Sequence, residues 1–310
     1  MRSSPALSPD GGTVYIGSND NHLYAVDAAT GEERWRFETD GGVDSSPAVS
    51  ANGRVVYVGS RDMHLYAVDA ATGTESWNVT TGSHVHSSPA LSPDGGTVYV
   101  GSYDNHLYAV DSTTGAERWR FKTGGGVDSS PAASEDGSVV YVGSRDKLLY
   151  AVDAATGAER WRFTTGGSVC YSSPVLSADD SVVYVGSDDK LLYAVDATTG
   201  AERWRFVTSG SMCSSSPAVS VDNVAVYVGS DDKHLYKVGP CTPVKAVAAS
   251  WVFKENVGVE KEVCHTQGVQ HTYTETNSLS WGESTTRTAG AGFTFFGLGA
   301  SVKVVGTTSE

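Results

Sequence analysis

Six side chains able to ionise or to hydrogen-bond stand at equivalent places in this chain, each directly before a Ser-Ser-Pro triplet: Arg2, Asp44, His86, Asp128, Tyr171 and Ser214. Their spacing of 42, 42, 42, 43 and 43 residues means that one position has been filled in several ways. A guanidinium, two carboxylates, an imidazole, a phenol and a hydroxyl suit recognition of a small ligand, a glycan or a protein, provided the fold brings them together. The plainer alternative is six solvated loop residues. His84 and His86 with Asp44 and Asp128 are metal-ligand types, but they follow no ligand spacing, and no metal site is expected. A second variable set, Arg61, Tyr103 and Arg145, precedes an Asp that recurs as Asp20, Asp62, Asp104, Asp146, Asp189 and Asp232. Those aspartates are expected to accept turn hydrogen bonds. The histidines His22, His64, His106 and His234 are expected to be exposed turn residues.

The elements that would position these groups follow from an internal repeat. The pattern Ala-x-Asp-x-x-Thr-Gly-x-x-x-Trp begins at Ala25, Ala67, Ala109, Ala151 and Ala194, and ends at Trp35, Trp77, Trp119, Trp161 and Trp204. A period of 42 or 43 residues belongs to one multi-stranded unit per repeat. Ser3 to Asp44 differs from Ser87 to Asp128 at 7 of 42 positions, so the units arose by duplication. Within each unit, runs of β-branched and aromatic residues are bounded by Gly, Pro, Asp or Asn. In the first unit this predicts strands at Pro5 to Leu7, Thr13 to Gly17, His22 to Asp27 and Glu33 to Thr39. The fold class is therefore all-β: a propeller of about six four-stranded blades plus a small β-rich C-terminal appendage. The repeats lie near 3–44, 45–86, 87–128, 129–171, 172–214 and 215–240. The last is incomplete, lacking its Asp, Thr-Gly and Trp.

Over residues 3 to 238 the eleven-residue pattern resembles the tryptophan-docking motif of the quinoprotein-type, or PQQ-repeat, propellers. The resemblance implies that each Trp docks at a seam between blades and that the first strand of each blade is innermost. The residues before Ser-Ser-Pro would then ring the mouth of a central channel, with Arg61, Tyr103 and Arg145 on the rim of the same face. In an up-and-down blade, the second turn and the link to the next blade emerge on one side, and the repeats differ mainly there. The opposite face, with turns such as Pro93-Asp94-Gly95-Gly96, is nearly constant.

Quinone-dependent members of the family need calcium held by Glu, Asn and Asp, a catalytic Asp, and often two adjacent cysteines. This chain has no adjacent cysteines, and its repeats are too alike to furnish so one-sided a set. No cofactor is expected; PQQ with calcium is the alternative. The reading is a non-enzymatic binding or scaffold propeller, with a PQQ-dependent oxidoreductase-like protein as the runner-up.

The net charge of −14, of which −13 falls on residues 1–240, repels phosphate backbones and argues against nucleic acid. From Cys241 the composition shifts to Ser, Thr and Gly. Alternating hydroxyls at Thr272, Thr274, Thr276, Ser278 and Ser280 resemble the stem of aerolysin-type pore-forming proteins, which would bring a membrane into play. The alternative is a small β appendage or truncated second domain. Residues Val244 to Phe253, with Trp251, are expected to supply the missing outer strand of the sixth blade. Four cysteines, Cys170, Cys213, Cys241 and Cys264, allow three pairings or none. The start at Met1 carries no signal peptide; an extracytoplasmic place is implied only by the family resemblance.

Overall fold

Turn chemistry sets the strand ends. In a computed structural model, which describes residues 3–220 and 222–239 and the backbone of 261–266 and 269–274, the first blade comprises β1 (Ala6–Leu7), β2 (Thr13–Gly17), β3 (His22–Asp27) and β4 (Glu33–Glu38), in that spatial order and antiparallel. Ser8 and Asp10 close the β1–β2 turn: the Ser8 hydroxyl donates to Asp10 at 2.5 Å and accepts from the Thr13 amide at 2.9 Å. Asp27 accepts the Ala29 and Thr30 amides, both at 2.9 Å, before Gly31 takes φ +75°. Arg34 and these amides hold the Asp27 carboxyl below its ordinary value. Opposite Ala25 and Val26 the β4 register shifts, so that Ala25 faces Trp35 and Val26 faces Glu33. The bulge frees Arg34 to reach back to Asp27 at 2.7 Å. Blades two to five repeat the strand order, and blades three to five the Arg–Asp pair, Ser76 standing in the place of Arg34 in blade two.

Both faces of each inner sheet are buried by alternation along its strands. Tyr15, Leu23 and Ala25 of the first blade pack on Val56, Val58, Tyr66 and Val68 of the second, with Trp35 and Phe37 beside them, and four further seams are built alike. The indole Nε1 of Trp35, Trp77, Trp119 and Trp161 donates to a backbone carbonyl 35 or 36 residues ahead, in the next blade, at 2.9–3.2 Å. Each of these rings also lies on the next blade's Thr-Gly glycine: a Cβ on Gly157 would stand 2.8 Å from Trp119 Cδ2. The motif glycine therefore serves the seam as well as the turn.

Along the inner wall, the second Ser of each Ser-Ser-Pro ties neighbouring blades. The amides of Ser4, Ser46, Ser88, Ser130 and Ser173 donate to the hydroxyls of Ser46, Ser88, Ser130, Ser173 and Ser216 at 2.9–3.1 Å. The first Ser works within its blade, accepting the amide of the glycine that ends the second strand, as Gly59 does to Ser45 at 3.1 Å.

The sixth sheet departs from the pattern. Its strands Ala218–Val219, Val226–Ser230 and His234–Gly239 are antiparallel, but the next partner, Lys261–Thr266, runs parallel to His234–Gly239 and then pairs antiparallel with Val269–Thr274. The expected outer strand, Val244 to Phe253, lies outside the described residues, as do Trp251 and everything after Thr274. The Asp-x-x-Thr-Gly pattern that leads into the outer strand of the other blades is missing from this repeat, and its outer pairing is parallel where theirs is antiparallel. On this sheet Tyr227 and Leu235 are 37% and 51% exposed, where their counterparts Tyr15 and Leu23 are buried.

Candidate functional site

The links between blades and the second turns do emerge together, and they touch. Asp44, in the link before blade two, receives Arg61 Nε at 2.8 Å on its Oδ2. Asp128, before blade four, receives Arg145 Nε at 2.5 Å. Both carboxylates are buried, with side chains 3% and 0% exposed, so they are not the solvated loop residues of the plainer reading. Arg61 and Arg145 therefore form less a separate rim than a cover over the channel-mouth aspartates. The Arg145 guanidinium lies between two rings, 5.1 Å from the centre of Tyr103 and 5.6 Å from that of Tyr171.

His86 joins the two halves. Its Nδ1 is 3.3 Å from Asp44 Oδ2, its ring is 6.3 Å from that of Tyr171, and the charges of both Asp44 and Asp128 act on it. Burial, outweighing those carboxylates, pushes its pKa below the ordinary value. The 3.3 Å approach is ionic in distance but out of line for a hydrogen bond, and Nδ1 has no hydrogen-bond partner. The outer oxygens Asp44 Oδ1 and Asp128 Oδ1 are likewise buried without a donor. His84 turns away, its Nδ1 against the Arg61 carbonyl. Of the six residues singled out by position, then, Asp44, His86, Asp128 and Tyr171 are brought together. Ser214 is exposed, and Arg2 lies outside the described residues.

The recurrent aspartates of the second turns are structural. Asp104 Oδ1 accepts the His106 amide at 3.0 Å, and Oδ2 accepts both the Tyr108 hydroxyl at 2.6 Å and the Gly82 amide of the preceding blade at 2.6 Å. Burial, reinforced by that carboxylate, pushes the Tyr108 hydroxyl up to about 12. The histidines after them are half-buried, not the exposed turn residues expected, because they pack on these tyrosines: His106 and Tyr108 ring centres are 5.9 Å apart. On the opposite face, a cleft of about 290 Å³ lies between blades three and four, lined by Pro93, Asp94, Arg118 and Ala155. Its polar groups are already engaged, Asp94 with Ser92 and Gly96, Arg118 with Asp111 at 2.8 Å. The channel mouth, with unpartnered atoms, is the stronger site.

Cys170 and Cys213, in the links before blades five and six, are joined in a disulfide. It resolves one pairing that the sequence left open. Among the described residues no group of three or more His, Cys, Asp and Glu side chains is placed to hold a metal ion. The two cysteines lie on successive links instead of side by side.

A family model described as outer membrane protein assembly factor BamB matches residues 2–120 and 103–240. The chain belongs to this family. In three dimensions it is similar to BamB from Moraxella catarrhalis, with a TM-score of 0.64 and 19% identity over 88% of this chain and 80% of that one. At that identity the likeness to that BamB structure concerns the propeller fold. No curated protein matches the chain. The BamB family model ends at residue 240, so the tail's likeness to a pore-forming stem gains nothing from it.

Proposed function

We propose that the chain is a non-enzymatic scaffold whose variable face binds a protein partner. The observation that carries this reading is the patch of Arg61, Tyr103, Arg145 and Tyr171 over two buried carboxylates. Arginine and tyrosine on a rigid support are the residue types that dominate protein interfaces, and Tyr103 is 45% exposed there. Membership of the BamB family, described as an outer membrane protein assembly factor, favours a protein over a glycan or small molecule. It also favours an extracytoplasmic place, as does the Cys170–Cys213 disulfide, since such bonds persist in oxidising compartments. A quinone-dependent oxidoreductase is less favoured, because the matching family model is described as an assembly factor.

The test is affinity capture from a cell-envelope extract with three baits: the unaltered chain, Arg61→Ala/Tyr103→Ala/Arg145→Ala, and Asp10→Ala/Asp94→Ala on the opposite face. A protein retained by the first and third baits and lost from the second supports the reading. Loss only from the third inverts the functional face. PQQ- and calcium-dependent dye reduction by the purified chain would put the oxidoreductase first.

A further inference from the structure

Three polar atoms at the channel mouth lack hydrogen-bond partners: Asp44 Oδ1, Asp128 Oδ1 and His86 Nδ1. They come from equivalent links before blades two, four and three, so His86 stands between the two aspartates in the order of blades. Buried acceptors without donors are costly, more so when charged. Each arginine engages only the Oδ2 of its aspartate, which leaves the second oxygen of each for another donor. Burial lowers the pKa of His86 and so favours its neutral form, and in the Nε2–H tautomer Nδ1 is a third acceptor.

We propose that this site takes a primary ammonium group carried by a protein partner, a lysine side chain or a chain-terminal amine. An ammonium offers three N–H donors and no acceptor, matching the orphaned atoms in number and in sense. A metal ion suits the site less, since among the described residues no three such side chains are placed to hold one. The net charge of −14 draws cations toward the surface. Arg61, with its side chain 42% exposed, can swing into water as the ammonium arrives. The Tyr171 ring beside His86 adds an aromatic wall. This inference rests on the variable-face reading and names the chemistry it recognises.

The experiment is a titration of the full chain with propylammonium, read by the imidazole nitrogen resonances of His86, assigned through their loss in His86→Gln. Tetramethylammonium, a cation without N–H donors, is the control. Propylammonium is expected to shift the His86 resonances saturably toward the Nε2–H tautomer, with binding about tenfold or more tighter than tetramethylammonium. Asp128→Asn and Asp44→Asn should each abolish that preference. Equal shifts with both cations, signifying charge screening alone, or no shift with either, overturn the proposal. An ordered water that satisfies the three atoms and resists displacement gives the second result. The comparison in the unaltered chain stands even if a variant fails to fold. Should propylammonium bind while capture of the partner ignores the variable face, the site stands and the functional reading falls; capture without ammonium binding gives the reverse.

Discussion

Replacing Gly157 by alanine tests the docking of an indole at a blade seam. The new Cβ would meet Trp119 Cδ2 at 2.8 Å and Cε3 at 2.9 Å, at a backbone φ of +73°. Gly31 is the natural control, since its φ is +75° and nothing lies within 4 Å of its would-be Cβ. Both alanines incur the left-handed backbone cost of about 1–2 kcal/mol. Gly157→Ala must in addition displace the indole, costing about 1–3 kcal/mol more, as overpacking does. Trp119→Ala removes the obstacle, so in that background Gly157→Ala should cost no more than Gly31→Ala, a coupling that a double-mutant cycle measures directly. Equilibrium urea unfolding, followed by circular dichroism so that loss of one tryptophan does not alter the signal, supplies the four free energies. Equal losses at Gly31 and Gly157, or a Gly157→Ala cost undiminished by Trp119→Ala, would refute docking of the indole on the glycine.

Asp128→Ala should destabilise the fold by about 1–3 kcal/mol, because it strips a half-buried arginine of its partner, whereas Ser214→Ala, at the equivalent but exposed position, should stay within about 0.5 kcal/mol; a comparison of urea midpoints decides. His86 has a folded-state pKa lowered by burial, so the unfolded chain takes up its proton first as pH falls. Stability should therefore decline below about pH 6.5, and His86→Gln should flatten that part of the pH profile; an unchanged slope excludes a buried neutral imidazole. Reduction of Cys170–Cys213, or Cys170→Ser, should cost about 2–4 kcal/mol through the 43-residue span it closes, seen as a lower unfolding midpoint in dithiothreitol than without it.

Much of the blade was legible in the residues themselves. The strands of the first blade fall within one residue of the expected ends, because Asp10, Gly11, Asp27 and Gly31 fix where the chain turns. The role of Gly157 was only half legible: its left-handed φ follows from the turn, but its contact with Trp119 depends on the neighbouring blade. The burial of Asp44 and Asp128 was missed, since a loop aspartate reads as solvated. A signal was nevertheless present. Arginine occupies the second turn only in blades two and four, 17 residues after the only two links that end in aspartate. The parallel strand Lys261–Thr266 had no local signature, because its pairing joins segments distant in the sequence.

The serine ladder joins each blade to the next through residues that occupy the same place in successive copies. Such bonds are indifferent to which copies are neighbours, and nearly identical coding repeats invite unequal crossing-over. An exchange that preserves the 42-residue phase re-creates every rung. The ion pairs at the channel mouth are less forgiving. A crossover between Asp44 and Arg61, or between Asp128 and Arg145, can seat a buried carboxylate beneath a turn that carries tyrosine or aspartate instead. Recombination among the repeats thus keeps the ladder throughout each unit but is penalised within that 17-residue stretch, and wherever it parts Cys170 from Cys213 or His86 from Asp44, so the chemistry of the mouth is inherited as linked groups.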